Sequence, residues 1–399
     1  MTKPVTCLGA GERGFTLLEM TVASGLLLVV LLLAMRPLPS TEALFDAHSE
    51  ASDMQQRMRA ATDALRRDIG DAGGAGTLES DGTPLIAWTP ALWPMRLGLR
   101  SPDPPGTART DVLTILSALP LPAVPTRTAH DMAAQDGSLR VLHDPGCAPM
   151  STVCGLAVDT DLLITDGHGT FDLFTVTEVT PPTLRVRHNG TDWTHSYPAG
   201  SRVIPVRSRT YTLRQAGNGR PPQLVRYDGT EGPDAAIVDH VVGFAVEYLA
   251  DPDPPRMRRP LSDPAGPWTT YGPPPPVADE AVIPVIAGSN CLFHGNGTPL
   301  ASAGLPPLGP ADGPLVPLRS DQLSDGPWCP EAASPVRYDA DLLRIRSVEL
   351  TVRIESALDA LRGPAGTFTR PGTASDPRRL LPDVELHLRI TPPALVSGR

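Results

Sequence analysis

The sequence predicts an α+β protein: a long N-terminal helix, membrane-spanning and then amphipathic, packed on an antiparallel β-sheet domain. Three observations carry that expectation. Phe15 to Met35 is a nearly unbroken apolar run of 21 residues, which as a helix is roughly 31 Å long and matches a bilayer core. Leu44, Ala47, Ala51, Met54, Met58, Ala61, Leu65 and Ile69 then recur at steps of three and four, the stripe of an amphipathic helix. After Gly76 the period shortens to two, in short apolar runs separated by Gly, Pro and Asp, as in strands joined by turns.

The apolar run holds one charge, Glu19. A carboxylate in hydrocarbon costs roughly 2.5–3.5 kcal/mol on insertion scales, so it is retained where something pairs with it. A cut after Gly14 would place a new α-amino group on Phe15, four residues from Glu19. In stacked subunits, one chain's carboxylate would then neutralise the next chain's amine. A secretory signal peptide would instead want a small-x-small cleavage site, which Ala34-Met35-Arg36-Pro37 does not supply. A plain membrane anchor has no use for Glu19.

A short polar leader ending in Gly14, then Phe15-Thr16-Leu17-Leu18-Glu19 and an apolar helix, resembles the class III signal of type IV pilins and type II secretion pseudopilins. The resemblance implies that a membrane prepilin peptidase cuts after Gly14 and N-methylates Phe15, and that Glu19 guides docking into a growing filament. Lys3 and Arg13 precede the apolar run and only Arg36 closely follows it. By the positive-inside bias the leader stays in the cytoplasm, making a single-pass inner-membrane protein with a periplasmic C-terminal domain.

Pro37 and Pro39 predict a kink or break after the first helical stretch. Ser40 or Thr41 is a candidate cap for the next one, and Gly70 to Gly76 ends it. Strands are expected over Asp111 to Leu116, Leu139 to Leu142, Leu162 to Thr165, Phe171 to Val179 and Leu184 to Arg187. Arg207 to Arg214 and Gln223 to Tyr227 form a hairpin across Gly217-Asn218-Gly219. Ile237 to Leu249, Leu343 to Ile354 and Val384 to Ile390 complete a sheet. Leu65-Arg66-Arg67-Asp68-Ile69, Tyr211 and Leu224-Val225-Arg226 also resemble, loosely, PilW-like minor pilins and J-type minor pseudopilins.

Between Asp251 and Pro335, 20 of 85 residues are proline, so this stretch cannot supply central strands. It reads as an insertion, either a partner-binding surface or a tolerated excursion. The chain thus divides into a leader (1–14), a transmembrane helix (15–36), an amphipathic helix (37–72), a sheet domain in two parts (73–250 and 336–399) and a Pro-rich insertion between them (251–335).

The formal charge is −10, and removal of residues 1–14 leaves 32 basic and 43 acidic residues. That argues against a general nucleic-acid-binding surface. Cys7 would leave with the leader. Cys147, Cys154, Cys291 and Cys329 form an even set on the expected non-cytoplasmic side, where disulfides persist. Three pairings are possible. Sequence proximity favours Cys147–Cys154 and Cys291–Cys329, worth roughly 2.5 and 4 kcal/mol by chain entropy. The spacings are not the CxxC of a structural zinc site.

No P-loop, HExxH, GxSxG or CxxC occurs. Asp159-Thr160-Asp161 and Asp166-Gly167-His168-Gly169 have the oxygens and imidazole of a metal or acid–base site, but Asp and Gly are also turn residues. His188, His195 and His240 are isolated, with no recognisable nucleophile context nearby. The expectation is no enzyme, no metal and no cofactor. The resemblance implies a minor pilin that primes or caps a type IV pilus, with other minor pilins and a tip adhesin as partners. The alternatives are a minor pseudopilin of a type II secretion system or, from another class, a membrane-tethered periplasmic enzyme or binding module.

Overall fold

The apolar stripe of the second helix sets the layout. A computed structural model describes residues 15–35, 38–74, 89–104, 106–119, 126–133, 136–142, 153, 156–165, 171–188, 196–217, 220–253, 307–325, 328–329, 338–362 and 381–396, with backbone alone at 33–35, 38–44, 188 and 328–329. Helix α1 is Leu17–Met35 and α2 is Leu38–Gly70. Arg36 and Pro37, where a kink or break was expected, lie outside the described residues, and Pro39 sits in the first turn of α2, where no backbone donor is needed. Among the described residues, no helix is long and apolar enough to cross a membrane.

The chain is α+β, and every strand pairing is antiparallel. The strands are β1 Leu92–Trp93, β2 Val112–Ala118, β3 Thr126–Arg127, β4 Ser138–Arg140, β5 Asp161–Thr165, β6 Phe171–Thr180, β7 Thr183–His188, β8 Arg202–Arg214, β9 Gln223–Tyr227 and β10 Ala235–Asp239. They continue with β11 Val241–Ala250, β12 Val316–Leu318, β13 Trp328–Cys329, β14 Tyr338–Asp339, β15 Ile345–Ile354 and β16 Val384–Ile390. Short helices α3 (Asp359–Arg362) and α4 (Pro393–Val396) flank β16.

One sheet was expected, and the strands form two with a separate two-stranded ribbon, β13–β14. The first sheet runs β1-β2-β8-β5-β6-β7-β4, with β3 and β9 also on β8 and β10 on β9; the second runs β12-β11-β15-β16. The physical reason lies at His240. The run Ile237 to Leu249 reads as one strand, but His240 has φ +60°, a left-handed conformation that interrupts a strand. The chain therefore leaves the first sheet as β10 and enters the second as β11. The expected strand from Leu343 likewise starts later, because Ala340–Arg344 is a 3₁₀ turn capped by Asp339, whose carboxylate accepts from the Asp341 N–H at 2.8 Å.

Thirteen-residue β8 joins two layers of core. Its first half pairs with β5 and β3, and its second half with β9; β2 runs along it from Val206 to Thr212. Because side chains alternate across a strand, Ile204 and Val206 face one core with Leu163, Phe171 and Leu173. Val203 faces the other with Leu162, Ile164, Phe174 and Val176. The first core takes the stripe of α2: Met54, Met58, Ala61, Leu65 and Ile69 are all buried, each large side chain contributing roughly 1.5–3 kcal/mol. Helix α2 stops where Gly73 and Gly74 take positive φ, and a side chain on Gly74 would sit 2.7 Å from Ala118 Cβ.

The start of the Pro-rich stretch meets its later half. β12 pairs with β11 as an edge strand, with Pro317 opposite Leu249, where the missing donor is tolerated. The Leu308 N–H donates to the Pro252 carbonyl at 2.8 Å. Pro252 and Leu308 therefore lie side by side, and residues 254–306 between them fall outside the described residues. Replacing 254–306 by a short Gly-Ser linker, with Cys329→Ser, should change the melting temperature of the full chain in detergent by less than about 4 °C, the effect of about 1 kcal/mol in a domain of this size. Loss of the sheet signal in circular dichroism would contradict this.

Candidate functional site

The first turn of α1 is closed by its own side chains. The Thr16 N–H and Oγ1 both donate to Glu19 Oε2, at 2.9 and 3.0 Å, and the Glu19 N–H donates to Thr16 Oγ1 at 3.2 Å. This is a capping box, in which a Thr and a Glu three residues on satisfy each other's backbone donors. Its T-x-x-E signature stands in the sequence at Thr16-Leu17-Leu18-Glu19. Further along, Thr21 Oγ1 donates to the Leu18 carbonyl at 2.9 Å and Ser24 Oγ to that of Met20 at 2.7 Å. The four polar side chains between Phe15 and Leu32 are thus bonded within the helix. Everything around them is apolar and open: Phe15 is 85 % exposed, and Leu17, Leu18, Leu26 to Leu28, Val30 and Leu32 are all exposed.

Two buried carboxylates fix α2 against the sheets. Glu50 Oε1 accepts the Ala357 N–H at 2.6 Å and Arg57 Nη1 at 3.0 Å, tying the helix to the loop after β15. At the other end Asp68 is 4 % exposed. It accepts Tyr211 Oη at 2.5 Å and Arg209 Nη1, with Arg226 Nη1 at 3.8 Å. Asp228 holds Arg226 from outside at 3.0 Å. Burial and the neighbouring Asp68 push the Tyr211 hydroxyl well above the usual tyrosine range, so it stays a donor. The three stretches Leu65–Ile69, Tyr211 and Leu224–Arg226, separate in the sequence, converge here.

Gly14, Cys147, Cys154, Cys291, Asp166 to Gly169 and His195 lie outside the described residues, as do the side chains of His188 and Cys329. The backbone of Cys329 pairs with Tyr338 in the β13–β14 ribbon. Asp159 has φ +64° in a turn, and Asp161 is buried, accepting Thr175 Oγ1 at 2.7 Å. These two acids serve local structure. His240 joins β10 to β11, with its Nδ1 4.0 Å from Glu355.

An acidic cluster that the sequence reading missed joins Asp325, Asp339 and Asp341, whose carboxylate oxygens lie within 4.8 Å of one another. Asp325 precedes the other two by a short stretch of chain, and a guanidinium already sits beside them: fully buried Arg344 places Nε 2.7 Å from Asp341 Oδ1. A cleft of about 270 Å³ between the β1–β2 connection and β11–β12 is floored by Val246, Tyr248, Leu318 and Leu323. Its rim arginines are matched, Arg109 by Asp103 and Asp111 and Arg319 by Asp321. It offers an apolar recess and not a charged catalytic centre. No protein-family model, curated protein or solved structure matches the chain.

Removing Asp68 leaves two guanidinium groups and a hydroxyl without their shared acceptor. Asp68→Ala should destabilise the fold by about 2–4 kcal/mol, discounted for the partial exposure of Arg209 and Arg226. Thermal unfolding of the full chain in detergent measures this, and a loss under about 1 kcal/mol would show that the cluster is not what holds the helix end.

Proposed function

We propose that the protein is a minor pilin that primes or caps a type IV pilus within a tip complex of other minor pilins and an adhesin. The observation that carries this reading is α1. Its described side chains are apolar and exposed on every side, none of the described residues covers them, and its polar groups bond within the helix. A surface of that kind needs either lipid or neighbouring apolar helices. Before assembly the inner membrane would serve; within a filament, the helices of other subunits would.

Glu19 fits both states. In the single chain its carboxylate caps its own helix, which lowers the desolvation penalty of lipid. In an assembly, the Phe15 amine of a neighbour offers a full positive charge, a stronger partner than two neutral donors. The globular domain would follow α2, because Glu50 and Asp68 lock that helix to the sheets. A minor pseudopilin of a type II secretion system would use the same surface, and the identity of the co-purifying subunits separates the two.

Two measurements test the reading. Intact mass of membrane-extracted protein should correspond to a chain beginning at N-methylated Phe15; a retained leader, or a cut beyond Met35, would overturn it. Glu19→Ala should keep normal membrane abundance yet recover poorly with the other minor subunits, whereas Thr16→Val, which breaks only the capping box at about 1 kcal/mol, should still assemble. Equal incorporation of Glu19→Ala and wild type would refute the assembly role.

A further inference from the structure

We propose that β16 is a docking edge for a second copy of this chain: two β16 strands join antiparallel about a two-fold axis at His387, turning two four-stranded sheets into one of eight strands. β16 closes the second sheet at the end opposite β12, and among the described residues no strand pairs with its outer side. Such an edge presents a row of backbone donors and acceptors that another strand can take up. The other described sheet edges are blunted. β1 and β3 have two residues each and β4 three, β12 has three with Pro317 at its centre, and β10 carries a bulge between Ala236 and Val238. β16 has seven residues, and its register with β15 is unbroken from Val384 to Ile390.

The strand is complementary to itself. It reads Val-Glu-Leu-His-Leu-Arg-Ile from residue 384, apolar and polar in alternation, with an acid and a base at mirror positions about His387. An antiparallel copy centred there sets Glu385 opposite the second copy's Arg389 and Arg389 opposite its Glu385. Leu386 then faces Leu388, and Val384 faces Ile390, so the strand is paired over its whole length. Opposite charges and apolar pairs directly across a ladder stabilise it, and like charges oppose it.

The joint also continues rows of charge already in place. Arg353 Nη2 of β15 lies 2.5 Å from Glu385 Oε2, and Arg389 Nη1 lies 3.6 Å from Glu349 Oε1. Across the joint the row becomes Glu349, Arg389, the second copy's Glu385 and its Arg353, alternating in sign at every step. The groups that must meet are accessible, since the side chains of Arg389 and His387 are 53 % and 74 % exposed. On the other face Val384, Leu386, Leu388 and Ile390 pack on the core and remain only half-buried, so the second copy extends that core. The two-fold axis stands normal to the sheet and turns the second α2 end for end. Stacked subunits of a filament point one way. The pair is therefore a form held outside the filament, which covers an edge otherwise open to foreign strands, and it does not rest on the filament reading.

A cysteine at the axis reads the register. Directly opposite residues have Cα atoms about 4.5–5.5 Å apart, within the span of a disulfide, whereas position 389 and its copy would lie roughly 13 Å apart along the strands. In the full chain in detergent, mild oxidation of His387→Cys should give a dimer whose linked peptides join 387 to 387 by mass spectrometry, and Arg389→Cys should not link to itself. Chains that merely share a micelle through α1 would not show this register. Charge reversal gives a second reading. Glu385→Arg and Arg389→Glu each place like charges opposite one another and should dimerise on the order of tenfold more weakly than wild type. An equimolar mixture of the two should recover, because every base then faces an acid. Each variant keeps its mismatch with Arg353 or Glu349 in the mixture, so recovery cannot come from repaired folding. Absence of the 387–387 link, equal linking at 389, or a mixture no better than its components would overturn the proposal.

Discussion

Asp68 lies in the last turn of α2, where the partial negative charge of a helix C-terminus opposes a carboxylate. It is also buried. Both penalties are met from outside the helix, by Arg209 and Tyr211 on β8 and by Arg226 on β9. The position of these partners dictates that β8 and β9 run beneath the end of the helix, and β10, paired to β9, lies beneath it too. At the other end Glu50 repeats the device on the loop after β15. The helix is therefore held against both sheets by directional bonds as well as by its apolar stripe, and a stripe of Met and Ala alone would allow it to slide.

That rigidity gives the exposed part of the chain its meaning. An apolar helix on a flexible tether would only anchor, whereas one continuing towards a domain locked at two points could transmit orientation. Helix α2 is amphipathic and belongs to the globular core; the described side chains of α1 are exposed, and its hydroxyls bond to its own carbonyls.

Burial of charge recurs as the way this protein joins distant segments. Arg344 lies among carboxylates from 251, 253, 339 and 341 and donates to the Pro252 carbonyl. In a protein with 47 prolines and 36 glycines, backbone pairing is repeatedly interrupted, and side-chain ion pairs take over where ladders cannot run.

The sequence by itself determined what depends on neighbours in the chain. The apolar run from Phe15, the stripe ending at Ile69, the glycine stop and most strands were legible because periods of 3.6 and 2 are local geometry. The capping box of Thr16 and Glu19 was equally local, and its T-x-x-E spacing was there to be read. What only the tertiary structure decided was the division into two sheets, because a single left-handed residue at His240 redirects a run whose composition is continuous. It also decided which acids matter. Asp68, Asp339 and Asp341 look like any of the 44 acidic residues until folding removes water from around them and, at Asp68, brings Arg209 and Arg226 from far along the chain. Desolvation and through-space pairing depend on distances that the order of residues does not specify.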